Sequence, residues 1–241
     1  MAADQHRPTP LPARSVVLSL LLGAHPEPIS PSAMTRAGNY FGISASTIRA
    51  ALSRAVAAGE VERSHAEYVL GDPLVERQRY QTEAIDDAET EWDGDWELAV
   101  VSVTGRTGSQ RAALRDTMRA HRLAELREGV WTRPANLRRP SEYAANRVLT
   151  TFRAVPDGDS VDLAASLWDL GAWSGGGRRL RARLEATTEP AARLAVAAQL
   201  VRHLATDPLL PAPLLPVDWP AAELRGAYAA YEAELRGLAL G

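Results

Sequence analysis

Five hydrogen-bonding side chains, Ser46, Thr47, Arg49, Ser53 and Arg54, fall on one side of the segment 43–56 when it is read at helical spacing. The other side carries Ile48, Ala51, Leu52, Ala55 and Val56, a complete apolar stripe for a core. The polar side holds no acid and no bulky apolar residue. These side chains contain no nucleophile paired with a base, so they make no case for bond-making chemistry. What they offer is guanidinium forks and hydroxyls, the groups that hydrogen-bond to phosphate and to base edges. Ser46, Thr47 and Arg49 occupy the first turns, which in a groove-reading helix lie deepest, while Ser53 and Arg54 are placed for phosphate. A solvated helix face is the plain alternative.

Several signals position this helix. Ser44 is its expected N-cap, with Ile43 set to staple onto Ile48, and Gly59 ends it. Upstream, residues 13–22 read as a first helix, closed by Gly23 and a loop containing Pro26 and Pro28. Ser30 caps a second helix with Pro31 at its first position, and Met34, Ala37 and Phe41 lie on one face before Gly42. Downstream, residues 61–63 and 68–70 flank a four-residue polar tip as a hairpin, which puts Arg63 and His65 forward as further candidates. Two helices joined by a tight glycine turn and followed by a hairpin predict a winged helix-turn-helix that binds double-stranded DNA. The acids Glu60, Glu62 and Glu67 in the wing count against phosphate contact there.

Composition removes whole classes of chemistry. The 241 residues include no cysteine, which excludes thiol nucleophiles, disulfides and iron–sulfur ligation. All 27 basic residues are arginine, so a phosphate-loop lysine and a Schiff base are excluded as well. His6, His25, His65, His121 and His203 are too scattered for a helical metal pair, and no metal site, cofactor or catalytic residue is expected. The Gly175-Gly176-Gly177 run lacks the context of a phosphate cradle and reads as a flexible loop. Asp93/Asp95 and Asp157/Asp159/Asp162 straddle glycines, where turn chemistry accounts for them. The apolar run 16–22 is interrupted by Ser19 and reads as a buried helix, and no stretch suits a membrane span, so a soluble, cytoplasmic protein is expected. The formal net charge of −3 conceals an asymmetry: residues 72–102 hold ten acids and two arginines, residues 103–153 eleven arginines and four acids. A DNA-binding protein needs only one positive face, so net charge does not decide the matter.

The rest of the chain reads as α+β. An acidic helical linker spans 72–91. From 92 to 156 the order is βαββαβ, a ferredoxin-like domain: a strand at 97–103, a helix at 109–121, strands near 123–126 and 129–133, a brief helix near 141–145 and a strand at 148–155. Residues 157–241 form a helical C-terminal domain, with helices at 161–170, 178–186, 190–204 and 221–238. The winged helix occupies 1–71.

Three stretches together resemble the PaaX family of bacterial transcriptional regulators, the phenylacetate-type repressors. The first comprises Ala13-Arg14-Ser15 and Ile48-Arg49-Ala50-Ala51-Leu52-Ser53-Arg54. The second comprises Trp92-Asp93-Gly94-Asp95-Trp96 and Gly129-Val130-Trp131-Thr132-Arg133-Pro134. The third comprises Leu167-Trp168-Asp169-Leu170, Asp207-Pro208-Leu209-Leu210-Pro211 and Leu214-Leu215-Pro216-Val217-Asp218-Trp219-Pro220. The resemblance implies a middle domain like the CRISPR-associated ferredoxin-like nucleases, a homodimer, and, in at least one branch, an acyl-CoA type effector. Arg138/Arg139 and Arg178/Arg179 are arginine pairs suited to such a ligand's phosphates.

Two rivals remain. A metal-dependent nuclease on the middle domain would place an aspartate at the end of its first strand, where this chain has Ser102, Val103 and Thr104. A protein-interaction module would not need the acid-free face around Arg49. Arg111, Arg115, Arg119 and Arg122 form a predicted basic stripe that could neutralise the acidic linker.

Overall fold

The computed structural model describes residues 11–75, 90–138 and 142–241. Residues 76–89 of the acidic linker, Arg139 and Ser141 lie outside them. The chain forms two compact units, one of residues 1–82, 174–206 and 220–241, the other of residues 83–173 and 207–219.

The first unit contains α1 (Ala13–Ala24), α2 (Pro31–Tyr40), α3 (Ala45–Ala57), the hairpin β1 (Val61–Ser64) and β2 (Glu67–Leu70), and α7 (Pro190–Leu204) and α8 (Ala221–Leu240) from the far end of the sequence. Helix α1 buries Val16, Val17, Leu20 and Leu21 and packs on α3 and α8. Leu224, Tyr231, Leu235 and Ala239 make the matching buried stripe on α8 at helical spacing.

Helix α6 (Leu170–Ala186) runs straight through Gly175-Gly176-Gly177, which corrects the expected loop. Each glycine is poor in a helix by about 0.8–1.0 kcal/mol relative to alanine. Close packing offsets this: a Cβ at Gly177 would stand 2.4 Å from Leu224 Cδ1 and 3.1 Å from His203 Nε2.

The second unit is built on a four-stranded antiparallel sheet of order β4-β5-β3-β6, from β3 (Trp96–Val101), β4 (Ala124–Arg127), β5 (Val130–Pro134) and β6 (Leu149–Ala154). Strands β3 and β4 both oppose β5, so they run parallel with β5 between them, and α4 (Gly108–Ala120) is the crossover of a split βαβ unit. Thr107 and Gln110 form a capping box at its start. Leu114 and Met118 from α4 close over Ala99, Trp131, Tyr143 and Leu149. A second cluster joins Trp96 to Ala164 of α5 (Ser160–Leu167) and to Leu210 and Leu214. The fold is thus α+β. Between β5 and β6 the brief helix is a 3-10 turn, Glu142–Ala145.

Three smaller expectations change. Val56 is 38 % exposed rather than core. Eight residues beyond Ile48 it is rotated by about 80° at 3.6 residues per turn, to the margin of the stripe. The basic stripe loses Arg122, because α4 ends at Ala120 and Arg122 turns away at φ 59 to donate to the Asp207 carbonyl. Within the stripe, Arg115 Nε stands 3.3 Å from Glu125 Oε2. The wing tip has two residues, not four: Ser64 pairs with Glu67, leaving His65 and Ala66 at φ 48 and 71, the left-handed geometry that a two-residue hairpin turn demands.

Candidate nucleic-acid interface

Helix α3 is held by its apolar side. Ile48, Ala51, Leu52 and Ala55 are buried against the first unit's core. Gly38 lets α2 approach closely, since a Cβ there would lie 2.5 Å from Ile48 Cγ1. On the other side Ser46, Thr47, Arg49, Ser53 and Arg54 are all exposed, together with the small Ala50. The five predicted residues of α3 therefore share one solvent-facing surface.

The first turn is organised by Ser44. Its Oγ accepts the Thr47 N–H at 3.3 Å and lies 3.0 Å from Ser46 Oγ and 2.9 Å from Thr47 Oγ1. Three hydroxyls thus cluster where the backbone N–H groups of a helix start favour an anion. Farther along, the Ser53 hydroxyl donates to the Arg49 carbonyl at 3.0 Å, which leaves its lone pairs facing outward. Ser44→Ala should lower stability by about 1 kcal/mol through loss of the cap. Chemical denaturation measures this; an unchanged midpoint would show that the cap contributes nothing.

The β1–β2 hairpin carries the other two candidates. Arg63 on β1 and His65 at the tip are exposed, and His65 Nδ1 lies 3.1 Å from Ser64 Oγ. The hairpin is anchored by a third segment: Ile29 and Tyr68 exchange backbone hydrogen bonds at 2.9 Å in both directions. Ile29 is one residue before the cap of α2, and a single bridging residue leaves no periodic signal in a sequence. At the base of the hairpin, Gly71 sits where a Cβ would meet the Gly59 carbonyl oxygen at 2.3 Å, so only glycine fits.

Of the three wing acids, Glu60 is engaged. Arg14 of α1 donates to it from Nε at 2.8 Å and from Nη2, and this hydrogen bond holds the Arg14 guanidinium above its ordinary pKa. Glu60 therefore weighs less against an anionic partner than its charge suggests. Arg36 on α2 is also exposed and was not singled out from sequence, because a lone arginine on a polar helix face looks like any other.

Among the described residues no group of three or more His, Asp or Glu side chains is placed to hold a metal ion. Ser102, Val103 and Thr104 follow the end of β3 as an exposed loop. No described helix is long and apolar enough to cross a membrane.

The two middle and C-terminal motifs meet inside the second unit. Arg133 is fully buried and donates from Nε to the Pro134 carbonyl at 3.0 Å and from Nη2 to Asn136 Oδ1 at 2.9 Å and the Leu209 carbonyl at 3.0 Å. These conspicuous residues bind each other. The tryptophans behave alike: Trp96 and Trp131 are core, and Trp173 stacks on Trp219 at 4.4 Å.

Comparison with known proteins gives three family matches in chain order. Residues 12–74 match "PaaX-like protein", residues 89–159 "PaaX protein central Cas2-like domain" and residues 173–240 "PaaX-like protein C-terminal domain". No curated protein matches the chain. Among solved structures, an uncharacterised protein of Mycobacterium tuberculosis, Rv0674, is similar at 45 % identity and a TM-score of 0.86, with 94 % of this chain and 96 % of that one covered.

Proposed function

The chain belongs to the PaaX family, and from that membership we propose that it is a DNA-binding transcriptional regulator, a repressor that reads its operator as a cytoplasmic homodimer through α3 and the wing of a winged helix. The observation that carries this reading is the exposed, acid-free face of α3, where Arg49 and Arg54 stand beside the hydroxyls of Ser46, Thr47 and Ser53. A single such helix contacts too few base pairs to select one site in a genome, which favours two heads on a symmetric site. The family likeness also supports release by an acyl-CoA or aromatic effector, with Arg138 of the second unit and the Arg178/Arg179 pair of the first as separate, alternative candidates for meeting an anionic group. No catalytic residue is assigned. A nuclease reading has no carboxylate to draw on at Ser102, Val103 or Thr104.

Salt dependence tests the phosphate role. Arg54→Ala, made on a folded chain, should weaken binding to all duplex sequences alike and reduce the slope of log affinity against log salt by about 1 per head. A variant with the wild-type slope would remove Arg54 from the interface.

A further inference from the structure

The two edges of the middle sheet are built differently. At β4 the register shifts between Glu125 and Arg127, so that edge is bulged, and the strand carries two charged residues, Glu125 and Arg127. Bulges and charges are the usual means by which a sheet edge is kept from pairing with another chain. Strand β6 has no bulge, and its one charged residue, Arg153, is paired with Asp95 of its own unit. The strand pairs with β3 in unbroken register over Leu149–Ala154, and residues 150–155 are all exposed, Phe152 at 52 % and Val155 at 69 %.

The hydrogen-bond phase shows which backbone groups face outward. Ser102 N–H donates to the Val148 carbonyl at 3.0 Å, and Val101 N–H donates the other way, to the Gly129 carbonyl beyond β5, at 2.8 Å. In this register Val148, Thr150, Phe152 and Ala154 turn their backbone groups toward β3. Those of Thr151, Arg153 and Val155 point away from the sheet.

We propose that β6 is the pairing edge for a second copy of this chain, joining two sheets into one continuous antiparallel sheet with Phe152 on the two-fold axis. The strand's own sequence selects the copy and the register. With the axis at Phe152, Thr151 exchanges both backbone hydrogen bonds with Arg153 of the second copy, and Thr150 stands opposite Ala154. The two Phe152 rings then meet at a non-hydrogen-bonded position, where side chains of opposed strands come closest. Each ring also continues the row begun by Leu98, its register partner on β3. An axis at Arg153 would oppose two like charges. An axis at Thr151 would set Phe152 against Thr150 and Leu149 against Arg153. Arg153 is already attended within its own sheet, 3.6 Å from Asp95.

This assignment rests on the homodimer reading and names its surface. The absence of native cysteine makes the test clean. Phe152→Cys and Val155→Cys are prepared as full-length chains and mildly oxidised, and Thr151→Pro and Phe152→Lys are sedimented beside the unaltered protein at micromolar concentration. Phe152→Cys should become a reductant-sensitive covalent dimer, since non-hydrogen-bonded partners are within disulfide reach. Val155→Cys should not, because its two copies would stand about 20 Å apart along the strands. Thr151→Pro removes only an outward N–H, so the ladder to β3 is kept, and the variant should sediment as a single chain that retains the circular dichroism spectrum of the unaltered protein. Phe152→Lys should also be a single chain. If Phe152→Cys cross-links no better than Val155→Cys, or both sedimentation variants stay dimeric, the edge is wrong and the homodimer stands on another surface. An unaltered protein that sediments as one chain, alone and on DNA, overturns the homodimer reading and this assignment together.

Discussion

Arg133→Met should lower the stability of the protein by about 3–5 kcal/mol, the range for stripping one partner from a buried charged network. For a chain of this size that corresponds to a fall of roughly 6–20 °C in melting temperature. The side chain is fully buried, and its guanidinium ties the end of β5 to the segment that enters at Asp207. Leu209 accepts at its carbonyl from both Arg133 Nη2 and Asn136 Nδ2 at 3.0 Å, and its N–H donates to Asp207 Oδ1 at 3.1 Å. This residue has a φ of 50, a left-handed conformation that a leucine holds only when its surroundings enforce it. Without the guanidinium, the Pro134, Asn136 and Leu209 oxygens lose a donor where water cannot replace it. Arg133→Lys should recover little, because a single ammonium cannot reproduce the planar fork. Thermal unfolding followed by circular dichroism and calorimetry decides the point, and a shift below about 2 °C would show that the network is dispensable.

Arg49→Ala should have the largest effect on DNA. A guanidinium bidentate to a guanine edge is worth about 1–3 kcal/mol. Two heads on a symmetric site double this, to roughly 30-fold in affinity at the low end and more than 10^4-fold at the high end. The loss should be confined to the preferred sequence, with binding to random duplex falling far less. Arg54→Ala should show the complementary pattern. If both changes leave affinity for the preferred duplex untouched, the outward face of α3 is only a solvated surface.

Much of this was legible in the residues. Ser30 and Ser44 announce the starts of α2 and α3, and the apolar period of Ile48, Ala51, Leu52 and Ala55 fixes which side of α3 turns outward. The valine-rich run at 97–103 places β3, and the strands expected at 129–133 and 148–155 stand as β5 and β6. Local signals of this kind lie within one helix or hairpin. Contacts between distant segments leave no such trace. Nothing near Gly177 says that His203 and Leu224 will press against it, so a run of three glycines looks like a loop although it is the tight face of a helix. The joining of α8 to α1, and of Arg133 to Leu209, likewise depends on residues far apart in sequence. The two-residue wing tip was missed because His65 and Ala66 are not the residues that usually take left-handed geometry, and the strand pairing imposes it on them.

The central claim is that α3 reads DNA sequence, and selection from a pool of random-sequence duplexes tests it most directly. The full-length chain is mixed with the pool at moderate salt, and the bound fraction is recovered, amplified and sequenced over several rounds. The expected result is one inverted-repeat motif from the unaltered chain, the same motif relaxed at one symmetric base pair from Arg49→Ala, and the motif at lower yield but unrelaxed from Arg54→Ala. A recovered pool as random as the input, or the same motif at the same yield from all three proteins, would contradict the account.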